Sequence, residues 1–147
     1  MPDLEDSRSP AARSIDPCTA LIGQKAQGCW IGYGSTLFLE FGESQPPEEH
    51  RHHPNGEWSL WCDGLVIWRI EQGDHVLGGS EDDRAIREIA IQTINGRTLV
   101  SARIAAATGD ALLEFSESVL LKTFAITSEE DTRWACVHRT EHGDEKQ

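Results

Sequence analysis

The stretch GCWIGYGSTLFLEFG, residues 28–42, decides the fold class. Glycines at 28, 32 and 34 lead into strict alternation, with Leu37, Leu39 and Phe41 on one side of an extended backbone and Phe38 and Glu40 on the other. That pattern predicts a hairpin turning near Gly32–Ser35 into a strand with one buried face. A dinucleotide-binding loop would carry a third glycine and open a helix, whereas this Gly-x-Gly opens a strand, so its glycines are read as turn residues.

The same word recurs 74 residues later. STLFLEFG (35–42) and DALLEFSE (110–117) share Leu-Glu-Phe at 39–41 and 113–115, and the acidic words SEDD (80–83) and SEED (128–131) follow them. Short strands of similar composition can coincide; if the echo is a duplicated β-meander, Leu39 and Phe41 occupy places equivalent to Leu113 and Phe115.

Working outward, EWSLWCD (57–63) and LVIWRIEQG (65–73) alternate on either side of Gly64, which predicts a second hairpin. Further strands are expected near 98–105, 111–116, 118–126 and 133–139. SEDDRAIREIAIQTINGR reads as one helix over about residues 81–94, with Ser80 as N-cap, Asp83 in a capping box, Asn95-Gly96 as its stop, and Ile86, Ile89, Ala90 and Ile94 as its apolar stripe. Ile91 lies off that stripe and is expected to be partly exposed. The sum is an α+β chain: a mainly antiparallel, strongly bent sheet or partly open β-barrel of about eight strands with one packed helix. Residues 1–17, with three prolines and mixed charge, are expected to be a disordered leader, 18–139 a single domain and 140–147 a flexible tail.

Net charge is −12, and residues 1–17 and 140–147 carry only −2 each, so −8 lies on the remainder. Such a surface repels phosphate backbones and favours a basic partner over nucleic acid. No apolar run approaches the roughly 20 residues of a membrane helix, and the acidic start MPDLEDSRSP is unlike a signal peptide, so a cytoplasmic protein is expected. Cys18, Cys29, Cys62 and Cys136 include no Cys-x-x-Cys pair and read as reduced, mostly buried side chains, which disfavours a zinc site.

The candidate binding residues cluster in EEHRHHPNGEWSLW, residues 48–61. His50 and His52 share a side of an extended backbone, and with His53 and Glu48 or Glu49 they could ligate a transition metal. The flanking Pro46, Pro47, Pro54 and Gly56 favour a solvated connection instead. Indoles suit recognition surfaces, and among the five tryptophans Trp61 is the foremost surface candidate, with Trp58 beside it, because its strand neighbours Leu60 and Cys62 point elsewhere or are small. Neither a nucleophile elbow nor a Cys–His pairing is evident, and neither catalysis nor a cofactor is indicated.

The words GSTLFLEFG, GEWSLW, WRIE and SEDDR together make residues 20–137 resemble a group of small bacterial hypothetical proteins. The resemblance implies structural motifs and carries over no catalytic residues. In size and acidity the chain also resembles toxin-neutralising immunity proteins. The expectation is a binding protein, not an enzyme, that meets a protein partner through an acidic and aromatic surface formed by Trp61, Trp58, Glu48 and Glu49. Alternatives are a small-ligand module with a pocket between sheet and helix, and a metal-dependent protein using His50, His52 and His53. Pairing of exposed strand edges would allow a homodimer.

Overall fold

The computed structural model describes residues 16–32, 34–44, 55–63, 66–105, 108, 110–125 and 133–139. The leader through residue 15, the SEED word and the tail from residue 140 lie outside the described residues. The elements run α1 (Asp16–Leu21), β1 (Trp30–Ile31), β2 (Leu37–Phe41), β3 (Trp58–Asp63), β4 (Val66–Gln72), β5 (His75–Gly79), α2 (Arg84–Gln92), β6 (Leu99–Ile104), β7 (Ala111–Phe115), a 3-10 turn (Ser116–Ser118), β8 (Val119–Ala125) and β9 (Arg133–His138).

The α+β, antiparallel expectation holds, but the strands form two sheets instead of one bent sheet or open barrel. One has the order β1-β2-β3-β9 and the other β5-β4-β8-β7-β6. Alternation had predicted the first hairpin correctly: Trp30 faces Phe38 and Ile31 faces Leu37. The second predicted hairpin does not exist. β3 pairs with β2 and β9, whereas β4 pairs with β5 and β8, so the chain changes sheets between residues 63 and 66.

The two meanders exchange strands reciprocally. In the first sheet Leu39 faces Leu60, which faces Cys136; in the second Leu113 faces Leu121, which faces Ile70. Each three-strand meander is therefore extended by the strand that follows the other one. The segments after the two helices also pair, with the Gly23 N–H donating to Leu99 O at 2.8 Å and the Leu99 N–H to Gln24 O at 3.0 Å. Leu39, Phe41, Leu113 and Phe115 all point into the core, and the Phe41 and Phe115 rings stack with centroids 6.5 Å apart and planes 5° from parallel. Burying each such ring stabilises the fold by about 1.5–3 kcal/mol.

The helix is shorter than predicted and turned differently. Asp83 occupies the N-cap position with no side-chain cap bond; the Ser80 hydroxyl instead accepts the Trp68 N–H at 3.1 Å, and Asp82 Oδ2 accepts the Gly79 N–H at 2.9 Å. Ile91 is fully buried with Ala90, and Ile94 just beyond the helix is buried too, while Ile89 is 70% exposed and Ile86 42%. The inward stripe is Arg87, Ala90, Ile91 and Ile94: Arg87 Nη1 donates to Ser35 Oγ at 2.8 Å, so a charged residue holds a position that apolar counting skips. Gly78 on β5 admits this packing, since a Cβ there would lie 2.9 Å from that of Ala90.

Candidate functional site

Strand register sets Trp30, Phe38, Trp61 and Ala135 abreast on the outer face of the first sheet. Trp30 and Phe38 stack with centroids 4.1 Å apart and planes 7° from parallel; Phe38 and Trp61 follow at 5.6 Å and 33°. All three rings are half-buried. Gly32 gives the Phe38 ring its space, because a Cβ there would come within 2.6 Å of Phe38 Cε1. Aromatic pairs of this kind gain roughly 0.5–1.5 kcal/mol per pair beyond their burial, which holds the rings against one another before anything binds.

Beside the aromatic row lies Glu40, which faces Ser59, which faces Val137. Alternation places Glu40 on the outer face, yet it is only 1% exposed. Its Oε2 accepts the Trp30 Nε1–H at 2.8 Å, and its Oε1 accepts the Gly56 N–H at 2.9 Å and the Ser59 hydroxyl. Arg139 Nη1 stands 4.0 Å from Oε1 and donates to Ser59 Oγ at 2.6 Å and to Gly56 O at 3.2 Å. Burying a carboxylate costs several kcal/mol, and three donors with a guanidinium offset that cost only when all are in place. Gly56 must be glycine for this: a Cβ would fall 2.6 Å from Phe41 O. The cluster thus fixes the tilt of Trp30 at one end of the row.

The sequence-derived candidates separate. Trp61 lies in the aromatic row, but Trp58 projects from the opposite side of β3, stacked on His138 with centroids 3.9 Å apart, and His138 Nε2 lies 2.9 Å from Glu57 Oε2. The two tryptophans therefore do not form one surface. Glu48, Glu49, His50, His52 and His53 lie outside the described residues. Sequence reasoning missed Trp30, Phe38, Glu40 and Arg139; the signal available was the lone acid in the otherwise apolar LFLEF.

Cys29 and Cys62 are buried and Cys136 is half-buried; burial pushes the Cys29 thiol up to about 12, far from the range of a nucleophile. Among the described residues no group of three or more His, Cys, Asp or Glu side chains converges as a metal site would require, and no helix is long and apolar enough to cross a membrane. What the outer face offers is rigid, amphipathic contact area. Comparisons with protein-family models, with curated proteins and with solved structures yield no match to this chain.

Proposed function

We propose that this chain is a binding protein that docks a basic protein partner on the outer face of its first sheet, over Trp30, Phe38 and Trp61. The observation that carries this reading is the aromatic row itself, three rings aligned across three strands, the first of them hydrogen-bonded to Glu40 beside the row. Rigid indoles are the side chains that most often dominate protein interfaces, because they bring large contact area with little entropy to lose. The row opens toward β9, an edge strand whose Val137 is 39% exposed, so a partner can cover rings and edge together. A net charge of −12 favours encounter with a basic surface.

A photo-crosslinking residue at position 61, with a control at the exposed position 89 on α2, tests this in cells. The expected result is one discrete adduct from position 61, whose purified partner binds one to one and loses at least roughly tenfold in affinity on Trp61→Ala. Equal adducts from both positions, or none from position 61, would overturn the reading. An adduct containing a second copy of this chain would replace the partner with a homodimer.

A further inference from the structure

The second sheet carries an outer face of a different character. Register aligns Arg69 with Lys122, Lys122 with Leu112 and Leu112 with Arg103, one residue from each of four neighbouring strands. Three strand spacings separate the ends of this row, about 14 Å. The row lines an open groove of about 520 Å³ whose apolar surface includes Leu112 and Phe124, the latter 40% exposed. Drug-sized ligands occupy sites of roughly 300–1,000 Å³, so the groove has room for one small molecule.

Charge distinguishes this groove from the rest of an acidic chain. Glu71 bridges Arg69 at 2.7 Å and Lys122 at 3.2 Å, which holds those two cations at one end. Asp110 on the rim is engaged as well, its Oδ1 accepting the Ala125 N–H at 2.8 Å. Arg103 is exposed and has no ion-pair partner among the described residues. A guanidinium fork beside half-buried leucine and exposed phenylalanine surface suits a carboxylate attached to an apolar body.

We propose that the outer face of the second sheet binds a small amphipathic carboxylate, its head on Arg103, the cation that Glu71 does not hold, and its apolar body on Leu112 and Phe124. Net repulsion by the acidic chain at long range makes binding depend on this local cation, and the apolar surface distinguishes such a ligand from a free inorganic anion. This site is separate from the aromatic face, so either assignment can fail without the other.

Octanoate is the test ligand, titrated into the full chain by calorimetry, with 1-octanol and inorganic phosphate as the charge-free and body-free controls. The expected result is saturation at one octanoate per chain, with octanol and phosphate each at least roughly tenfold weaker. Arg103→Gln should weaken octanoate by a similar factor at unchanged melting temperature, and Trp61→Ala should leave it unchanged. In the wild-type chain, raising salt from about 0.01 M to about 1 M should weaken octanoate but not octanol. No saturable octanoate binding, equal affinity for octanol, equal affinity for phosphate, or indifference to Arg103→Gln would each overturn the proposal.

Discussion

Trp30 hands its indole N–H to a carboxylate that water barely reaches, Glu40, at 2.8 Å. A surface aromatic is thereby anchored by a neighbour on its own face of the sheet, and the anchor is itself buried. Glu40→Ala strands Arg139 beside an empty position and removes the acceptor for Trp30, Gly56 and Ser59 together. The expected loss is about 3–5 kcal/mol by urea denaturation, with a change in tryptophan fluorescence in the residual folded state. A loss below about 1 kcal/mol would mean the cluster is not a unit.

Gly56→Ala and Gly34→Ala separate close approach from backbone conformation. At residue 56 a methyl group would meet the backbone of Phe41 at 2.6 Å, whereas at residue 34, with φ +69°, it would meet nothing within 4 Å. The expected costs are about 2–3 kcal/mol at position 56, from forced backbone movement, and about 1 kcal/mol at position 34, from the left-handed conformation alone. The reverse ranking in thermal melts would refute the packing around Gly56.

Phe41 and Phe115 should couple across the two sheets. Each change to Ala is expected to cost about 3–5 kcal/mol, and a double-mutant cycle should give a coupling of about 0.5–1.5 kcal/mol. Milder replacements by Leu keep the cycle measurable if the alanine pair fails to fold. Strict additivity would contradict the ring contact.

Glu71 supplies a pH signature. Burial alone would raise its carboxyl, but hydrogen bonds from Lys122 and Arg69 outweigh that and hold it below its ordinary value of 4.5. A depressed folded-state pKa contributes stability that is complete above the ordinary value and disappears as pH falls through the folded one. The melting-temperature gap between the wild-type chain and Glu71→Gln should therefore be widest near neutrality and shrink as pH falls below 4.5 and through the lower folded-state value. A gap independent of pH would remove the charge pairing from the account.

Cys29 gives a chemical test of burial. With its thiol pushed up to about 12 by burial, it should resist alkylation at pH 8 in the folded chain and react once urea unfolds it. Mass mapping of modified peptides reads this directly. Rapid labelling of Cys29 under native conditions would show that the region between α1 and β1 opens.

Which parts of this fold were legible follows from the range of the interactions involved. The β2 alternation identified Leu37, Leu39 and Phe41 as core because strand periodicity is a local property. Pairing is not local: Leu60 meets Cys136, 76 positions along, and nothing in EWSLWCD names that neighbour over the nearer LVIWRIEQG. The helix was found but its face misassigned, since Arg87 packs inward through its hydrogen bonds and shifts the buried stripe onto Ile91. For the site, Trp61 was legible from local alternation, its strand neighbours Leu60 and Cys62 pointing elsewhere or being small. Its neighbours Trp30 and Phe38 became visible only when register set them side by side, and Glu40 had seemed an ordinary outward residue of an alternating strand.

The reciprocal exchange of strands bears on how the chain can fold during synthesis. Neither sheet belongs to one contiguous half, for β4 and β5 complete the sheet built by β6, β7 and β8, and β9 completes the one built by β1, β2 and β3. A nascent chain that has just released β3 and β4 holds two strands whose edges await residues 119–125 and 133–138, still inside or beyond the ribosome. Long-range pairings of this kind are slow to form and leave unpaired edges open to association in the interval. For a chain with this topology, the exposed period of translation extends until β9 has emerged, because until then the first half lacks the strands that pair with β3 and β4.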